Sequence, residues 1–221
     1  MNHKLIVFDW NGTLLSDTVA AWKAANICLQ HYGAAPISLA HYRETFHFPV
    51  IHFYRLNNVD VDTVLADKEG NGLFQREYER LAVRARTRGG ARELLGWLKA
   101  RDYSCIILSN YRTERIEAHL KRLKLEPYFH HISANNDDGT SILHSTSKAE
   151  RLSAFIAKRN FKPRDTVIIG DSMEEPEIAR HLGLTSIGIT DGTISRARLK
   201  EARPDYIVTH LQEIKGTLEK L

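Results

Sequence analysis

The stretch Lys4-Leu5-Ile6-Val7-Phe8-Asp9-Trp10-Asn11-Gly12-Thr13 runs four apolar residues into an aspartate and an Asn-Gly turn. So short an unbroken apolar run predicts a strand buried on both faces of a parallel sheet rather than a helix. Asp9 then stands at the strand's carboxyl end, the edge at which open α/β sheets hold ligands, and Asn11-Gly12 lets the backbone fold tightly around it. A carboxylate in that position serves as a nucleophile or a metal ligand, or it merely begins a strand-to-helix turn. The rest of the chain has to decide.

Working outward, no strand is expected across residues 17–86. Ser16 or Asp17 caps a helix ending before Gly33, Ser38 caps a shorter one, and Pro49 suits the first turn of another. Asp60 caps a further stretch, interrupted near Gly70 and Gly72, that reaches about residue 86. From Gly89 the pattern alternates. Helices are expected at 92–101, 113–123, 147–158, from Pro176, at 195–202 and at 211–220, and strands at 104–108, 130–133, 166–169, 185–189 and 206–208. Ser147 and Glu150 have capping-box spacing. Apolar strands alternating with amphipathic helices imply an α/β fold whose parallel sheet is covered on both faces.

With 221 residues, 43% hydrophobic and 26% charged, the chain has the makeup of a globular protein with a sizeable core. It contains no apolar run of the roughly 20 residues a membrane span needs, and its first residues lack the apolar core of a secretory signal, so a cytoplasmic address and no membrane partner are expected. Its two cysteines, Cys28 and Cys105, have no ligand spacing and read as reduced core residues. The net charge of +4 favours anionic partners. Much of it lies in the arginine-rich run 76–101, which lacks the interleaved aromatics that stack bases and reads as a solvated helix face, against nucleic-acid binding.

Three more polar positions follow the same strand-end logic. Ser109-Asn110 follows the strand at 104–108, Gly170-Asp171-Ser172 follows that at 166–169, and Lys148 opens a helix at the same end of the sheet. Taken singly they are a cap, a turn and a solvated lysine. Converging in one cleft they form a nucleophilic carboxylate, a second carboxylate, a hydroxyl donor and an ammonium, the set that phosphoryl transfer requires. Asp9 and Asp171 supply the hard oxygens that Mg²⁺ prefers.

At these residues the chain resembles the haloacid dehalogenase-like (HAD) superfamily, whose phosphatases carry Asp-x-Asp-Gly-Thr after the first strand. Here the motif reads Asp9-Trp10-Asn11-Gly12-Thr13; Ser109 looks like the second motif, Lys148 the third, and Gly170-Asp171-Ser172-Met173-Glu174-Glu175 the fourth, Gly-Asp-Ser-x-x-Asp. The resemblance implies a Rossmann-like core (residues 1–15 and 88–221) with an inserted α-helical cap domain (16–87). It also implies an aspartyl-phosphate on Asp9 and a Mg²⁺ ion held by Asp9, the main-chain carbonyl of Asn11, Asp171 and Glu175, directly or through water. The expected activity is hydrolysis of a small phosphorylated metabolite, in the manner of phosphoglycolate phosphatase. Asn110 and, on the cap segment 43–49, Arg43 and His47 are the expected substrate contacts. The chain departs from the pattern twice. Glu175 replaces an aspartate, and Asn11 replaces the residue that protonates the leaving group and activates water, which an amide does not do. A phosphotransferase or mutase, or a catalytically weak relative that binds a phosphorylated ligand, therefore stays open beside the hydrolase.

Overall fold

The computed structural model describes residues 4–67, 72–135 and 148–221. Its centre is a six-stranded, all-parallel sheet: β1 (Leu5–Phe8), β4 (Ser104–Arg112), β5 (His131–Asn135), β6 (Thr166–Gly170), β7 (Thr185–Ile189) and β8 (Tyr206–Val208), in the order β5-β4-β1-β6-β7-β8. Because strand side chains alternate, Ile6 and Phe8 of β1 join one apolar layer and Leu5 and Val7 the opposite one. The first layer is closed by α6 (Ala91–Lys99), α7 (Thr113–Leu123) and α11 (Glu213–Leu218), the second by α8 (Lys148–Arg159) and α9 (Glu174–Leu182). The helix α10 (Arg196–Glu201) lies between β7 and β8 in sequence. The unbroken apolar run of β1 thus reflects burial on both faces.

Register brings three strand ends together. Phe8 is paired with Ile107 of β4 and with Ile169 of β6, so Asp9, Ser109 and Asp171 leave neighbouring strands at one edge. After β1 the chain enters β2 (Leu15–Ser16), which pairs antiparallel with β3 (Arg86–Thr87). Between these two short strands lie α1 (Thr18–His31), α2 (Leu39–Thr45), α3 (Ile51–Leu56), α4 (Val61–Ala66) and α5 (Leu73–Ala82). Their side chains form a third apolar cluster, including Leu29, Tyr42, Phe53 and Tyr54, which also takes in Ile194 and Leu199 from the sheet domain's 190–199 segment.

Several local expectations are corrected. The β2–β3 ribbon was not foreseen, because two-residue strands are too short to show alternation. The interruption expected near Gly72 is present, with Gly72 at φ +85° ahead of the second helix, but that helix ends at Ala82 rather than near residue 86, because residues 86–87 pair with β2. The strand expected at 104–108 runs on to Arg112, past a register irregularity, because Arg112 still pairs with Asn135. Helix α9 starts at Glu174, with Pro176 inside its first turn, where a missing N–H costs no hydrogen bond. Ser147 lies outside the described residues; the helix it was expected to cap starts at Lys148. Asp17 stands at the N-cap of α1 but gives it no side-chain hydrogen bond.

Both cysteines are buried, and burial pushes their thiols to about 11 for Cys28 and about 12 for Cys105. Among the described residues no helix is long and apolar enough to cross a membrane. The arginines of 76–101 are in part structural: Arg80 pairs with Glu77 at 2.7 Å, Arg101 lies 4.2 Å over the Trp97 ring, and Arg92 donates to the Leu123 carbonyl. Arg88 donates to the Gly12 carbonyl at 2.7 Å and to the Thr190 carbonyl at 2.7 Å, tying the end of the ribbon to two loops of the sheet edge. Hydrogen bonds from a charged donor are worth about 1.5–3 kcal/mol each when buried, less where water competes. Arg88→Ala is therefore expected to lower unfolding stability by about 2 kcal/mol in urea titration; an unchanged midpoint would show that these loops hold their places without it.

Candidate active site

Asp9 is buried at the tip of β1 and its backbone N–H donates to the Ile169 carbonyl at 2.9 Å, so the carboxylate's origin is fixed by the sheet itself. Lys148, the first residue of α8 and only 4% exposed, donates to Asp9 Oδ1 at 2.9 Å and to Glu175 Oε1 at 2.8 Å, and its Nζ lies 3.1 Å from Glu174 Oε2. Two carboxylates accept its protons, and Glu174 adds a third within ion-pair reach. Burial alone would depress Lys148, but Asp9, Glu174 and Glu175 outweigh it and hold its pKa well above the usual lysine value. Burial holds Asp9 well above the ordinary carboxylate range; Lys148 pulls it back, and Glu175 and Asp171 push it up again. Glu175 goes the other way: burial would raise it, but Lys148, the Ser172 hydroxyl and a backbone N–H together hold it below the ordinary carboxylate value.

Asp171 is boxed in. Its Oδ1 accepts from the Thr13 hydroxyl at 2.8 Å and its Oδ2 from the Thr193 N–H at 2.5 Å, while Gly12, at φ +73°, and Gly192 press against its carboxyl so closely that a Cβ at either position would collide with it. Burial raises its pKa and Glu175 adds to the rise. Glu175 places its second oxygen on the Ser172 hydroxyl at 2.7 Å, and a Cβ on Gly170 would strike its side chain. The longer acid of the fourth motif is thus seated over a glycine and turned toward Lys148.

Ser109 is buried; its Oγ accepts from the Tyr111 N–H at 3.1 Å, which leaves its own proton to give. Asn110 reaches Glu174 at 3.2 Å. Arg151 of α8 underpins this strand end, donating to the Ser109 carbonyl at 2.8 Å and to Asn135 Oδ1 at 2.9 Å. Asp9, Asn11, Ser109, Asn110, Lys148 and Asp171 all line one cavity of about 440 Å³, which is also walled by residues of α1 to α5. Arg43 and His47 do not line it. Arg43 donates to the backbone carbonyls of Gly192 at 3.0 Å and Asp191 at 2.9 Å, and His47 lines a separate cavity of about 200 Å³ beside Met173 and Arg198.

Sequence reasoning missed Glu174, Asp17, Tyr78 and Arg151. Asp17 Oδ1 accepts from the Gly12 N–H at 2.6 Å, and its Oδ2 accepts from Asn11 Nδ2 at 2.8 Å and from the Tyr78 hydroxyl. Asn11 Nδ2 also donates to the Tyr78 oxygen at 2.7 Å. Both amide protons of Asn11 are therefore spent away from Asp9, and only its carbonyl oxygen is left to meet the cavity. Burial pushes Asp17 up to about 6 despite these donors.

A family model for haloacid dehalogenase-like hydrolases matches residues 3–183. The chain belongs to this family. Among its relatives, the hydrolase is 28% identical over 206 residues to the phosphoglycolate phosphatase of Synechococcus elongatus, covering 92% of this chain and 91% of that one. It is 21% identical to the pyrophosphatase PpaX of Bacillus mycoides, covering 100% and 99%. In fold it matches a crystal structure described as a predicted phosphatase from Clostridium acetobutylicum, with TM-score 0.77 and 22% identity over 99% of both chains. It also matches a haloacid dehalogenase-like family protein from Streptococcus pneumoniae, with TM-score 0.69 and 19% identity over 98% of this chain and 99% of that one.

The Asn11–Asp17 contact makes a prediction that does not depend on the reaction. Asn11→Asp places two buried carboxylates 2.8 Å apart where an amide now donates, so one of them must hold a proton and the pair's folded pKa rises above its unfolded value. The penalty is full above the folded pKa and fades as pH falls through it. The hydrolase carrying Asn11→Asp should lose about 1–3 kcal/mol at pH 7 and much less at pH 5, and adding Asp17→Asn should restore the loss. Equal stability of the single variant and the parent at pH 7 would show that the two side chains are not coupled.

Proposed function

We propose that this hydrolase cleaves phosphate monoesters of small molecules with Asp9 as nucleophile and Mg²⁺ as cofactor. The observation that carries the reading is the Lys148 ammonium buried among Asp9, Glu174 and Glu175 at the sheet's carboxyl edge, with Ser109 and Asp171 on the neighbouring strand ends. Asp9 keeps Oδ2 free of hydrogen bonds from the described residues, so an oxygen is open toward the cavity.

The donor set fits a magnesium ion. Asp9 and Asp171 are buried acids whose pKa values are raised by burial and by each other's neighbourhood, and acids outnumber cations at this edge. Among the described residues no three Asp, Glu, His or Cys side chains stand close enough to enclose an ion by themselves. Mg²⁺ does not ask for that, taking one or two carboxylates and completing its shell with water and phosphate oxygens. Asp9, Asp171 and the main-chain carbonyl of Asn11 would hold it, with Glu175 acting directly or through a water. When bound, the ion would neutralise a phosphate dianion that this acidic edge would otherwise repel.

In the proposed reaction the Asp9 carboxylate attacks phosphorus and the ester P–O bond breaks, its electron pair leaving with the alkoxide. Lys148 and Ser109 hold the equatorial oxygens as charge gathers on them. The alkoxide takes a proton from water, because Asn11 transfers none. Water then attacks the phosphorus of the aspartyl-phosphate, releasing inorganic phosphate and returning the Asp9 carboxylate. The inserted helices act as a cap that keeps bulk water from the intermediate.

Asp9→Asn is expected to abolish Mg²⁺-dependent phosphate release from any phosphomonoester while leaving the melting temperature equal or higher, since one repelling acid is lost. Chelation should abolish turnover of the parent and lower its melting temperature. Comparable turnover by Asp9→Asn, or full activity in excess EDTA, would overturn the mechanism.

A further inference from the structure

The chamber beyond Asp9 has a composition that phosphoryl transfer does not require. Of its 25 lining residues nine are aromatic, all Phe or Tyr. Phe53 packs against the Tyr42 ring at 5.7 Å and the Phe46 ring at 6.1 Å, and Phe74 stacks on Tyr78 at 5.8 Å with 3° between planes. Such walls offer ring faces and edges to an aromatic guest.

The charged lining is one-sided. Among the described residues Lys148 is the only Lys, Arg or His that lines the chamber, and it is engaged by hydrogen bonds to Asp9 and Glu175 and by an ion pair with Glu174. Asp17 and Asp67 line it as well. A carboxylate or second phosphate on the far end of a substrate would be stripped of water against like charge, with no cation among the described lining residues to receive it.

Asn11 points the same way from the chemical side. With its amide protons held by Asp17 and Tyr78, it leaves the departing oxygen to be protonated by water, a handicap that is smallest for phenols. Resting on the phosphomonoesterase reading above, we propose that the chamber selects phosphate esters of aromatic alcohols, phenols foremost, that carry no second anionic group.

The experiment compares ligands that differ in the far end alone. Calorimetry on Asp9→Asn with Mg²⁺ measures binding of benzylphosphonate and phosphonoacetate, and the wild type is assayed on benzyl phosphate and phosphoglycolate, both esters of primary alcohols. Benzylphosphonate should bind about tenfold tighter or better, the scale on which apolar pockets discriminate, and benzyl phosphate should show a matching advantage in kcat/KM. Val50→Arg, which places a cation on the chamber wall, should shift both preferences toward the carboxylated ligand. Selective binding of benzylphosphonate with no hydrolysis of any ester would sink the phosphatase reading and leave the chamber assignment standing. Hydrolysis of both esters with phosphonoacetate bound as tightly as benzylphosphonate would overturn the chamber assignment and leave the phosphatase reading intact.

Discussion

One buried ammonium organises the site. Lys148 meets Asp9 from β1 and Glu174 and Glu175 from α9, so the start of one helix is pinned to a strand end and to the start of another. Ion pairs removed from water are weak evidence for stability, because desolvation consumes much of their attraction. What this one secures is arrangement. Lys148 draws both Glu175 and Asp9 down against burial, and Asp9 and Asp171 nonetheless stay raised by burial. The glycines follow from the same crowding. Gly12, Gly170 and Gly192 each abut an acid so closely that no side chain fits, and only at Gly12 does a positive φ impose the same choice independently.

The helices between β2 and β3 are fastened to the loops at the sheet's edge by arginines bound to main-chain carbonyls. Arg43 reaches Asp191 and Gly192, Arg198 returns to the Arg43 carbonyl at 3.2 Å and the Phe46 carbonyl at 2.6 Å, and the Ser195 N–H donates to Arg43 at 3.1 Å. A guanidinium carries five N–H donors in a rigid fork and so satisfies several loop carbonyls that no regular ladder can reach. The segment held this way runs into Thr193, whose N–H holds Asp171. The attachment of the insertion and the placement of a site acid are therefore parts of one hydrogen-bonded unit.

Asn11, Asp17 and Tyr78 form a second unit, drawn from the first loop, the entrance to α1 and the middle of α5. An amide between a carboxylate and a phenol has its orientation forced, since the carboxylate accepts only. The exchange leaves the Asn11 side chain with no proton to give toward Asp9 and an acceptor oxygen instead. Next to it the chamber of Phe and Tyr side chains is built largely from α1 to α5.

The local chemistry of the chain determined a good deal. The apolar run before Asp9, the strand-helix alternation after Gly89 and the four separated motifs are short-range or periodic signals, and they specified the parallel sheet, its carboxyl edge and the places of Asp9, Ser109, Lys148 and Asp171. Side chains that act by reaching across the fold carry no such signal. Asp17 sits where a helix cap belongs, and only the arrival of Tyr78, 61 residues away, turns its carboxylate toward Asn11. Arg43 looked like an anion receptor because it is basic and near the expected opening, yet packing of α2 against the 190–195 loop spends it on carbonyls 148 and 149 residues away. The chamber is likewise a tertiary fact: scattered Phe and Tyr read as core until α1 to α5 leave a space between them and Asp9. Sequence sets what a residue can donate, accept or bury; tertiary structure alone decides which partner takes it.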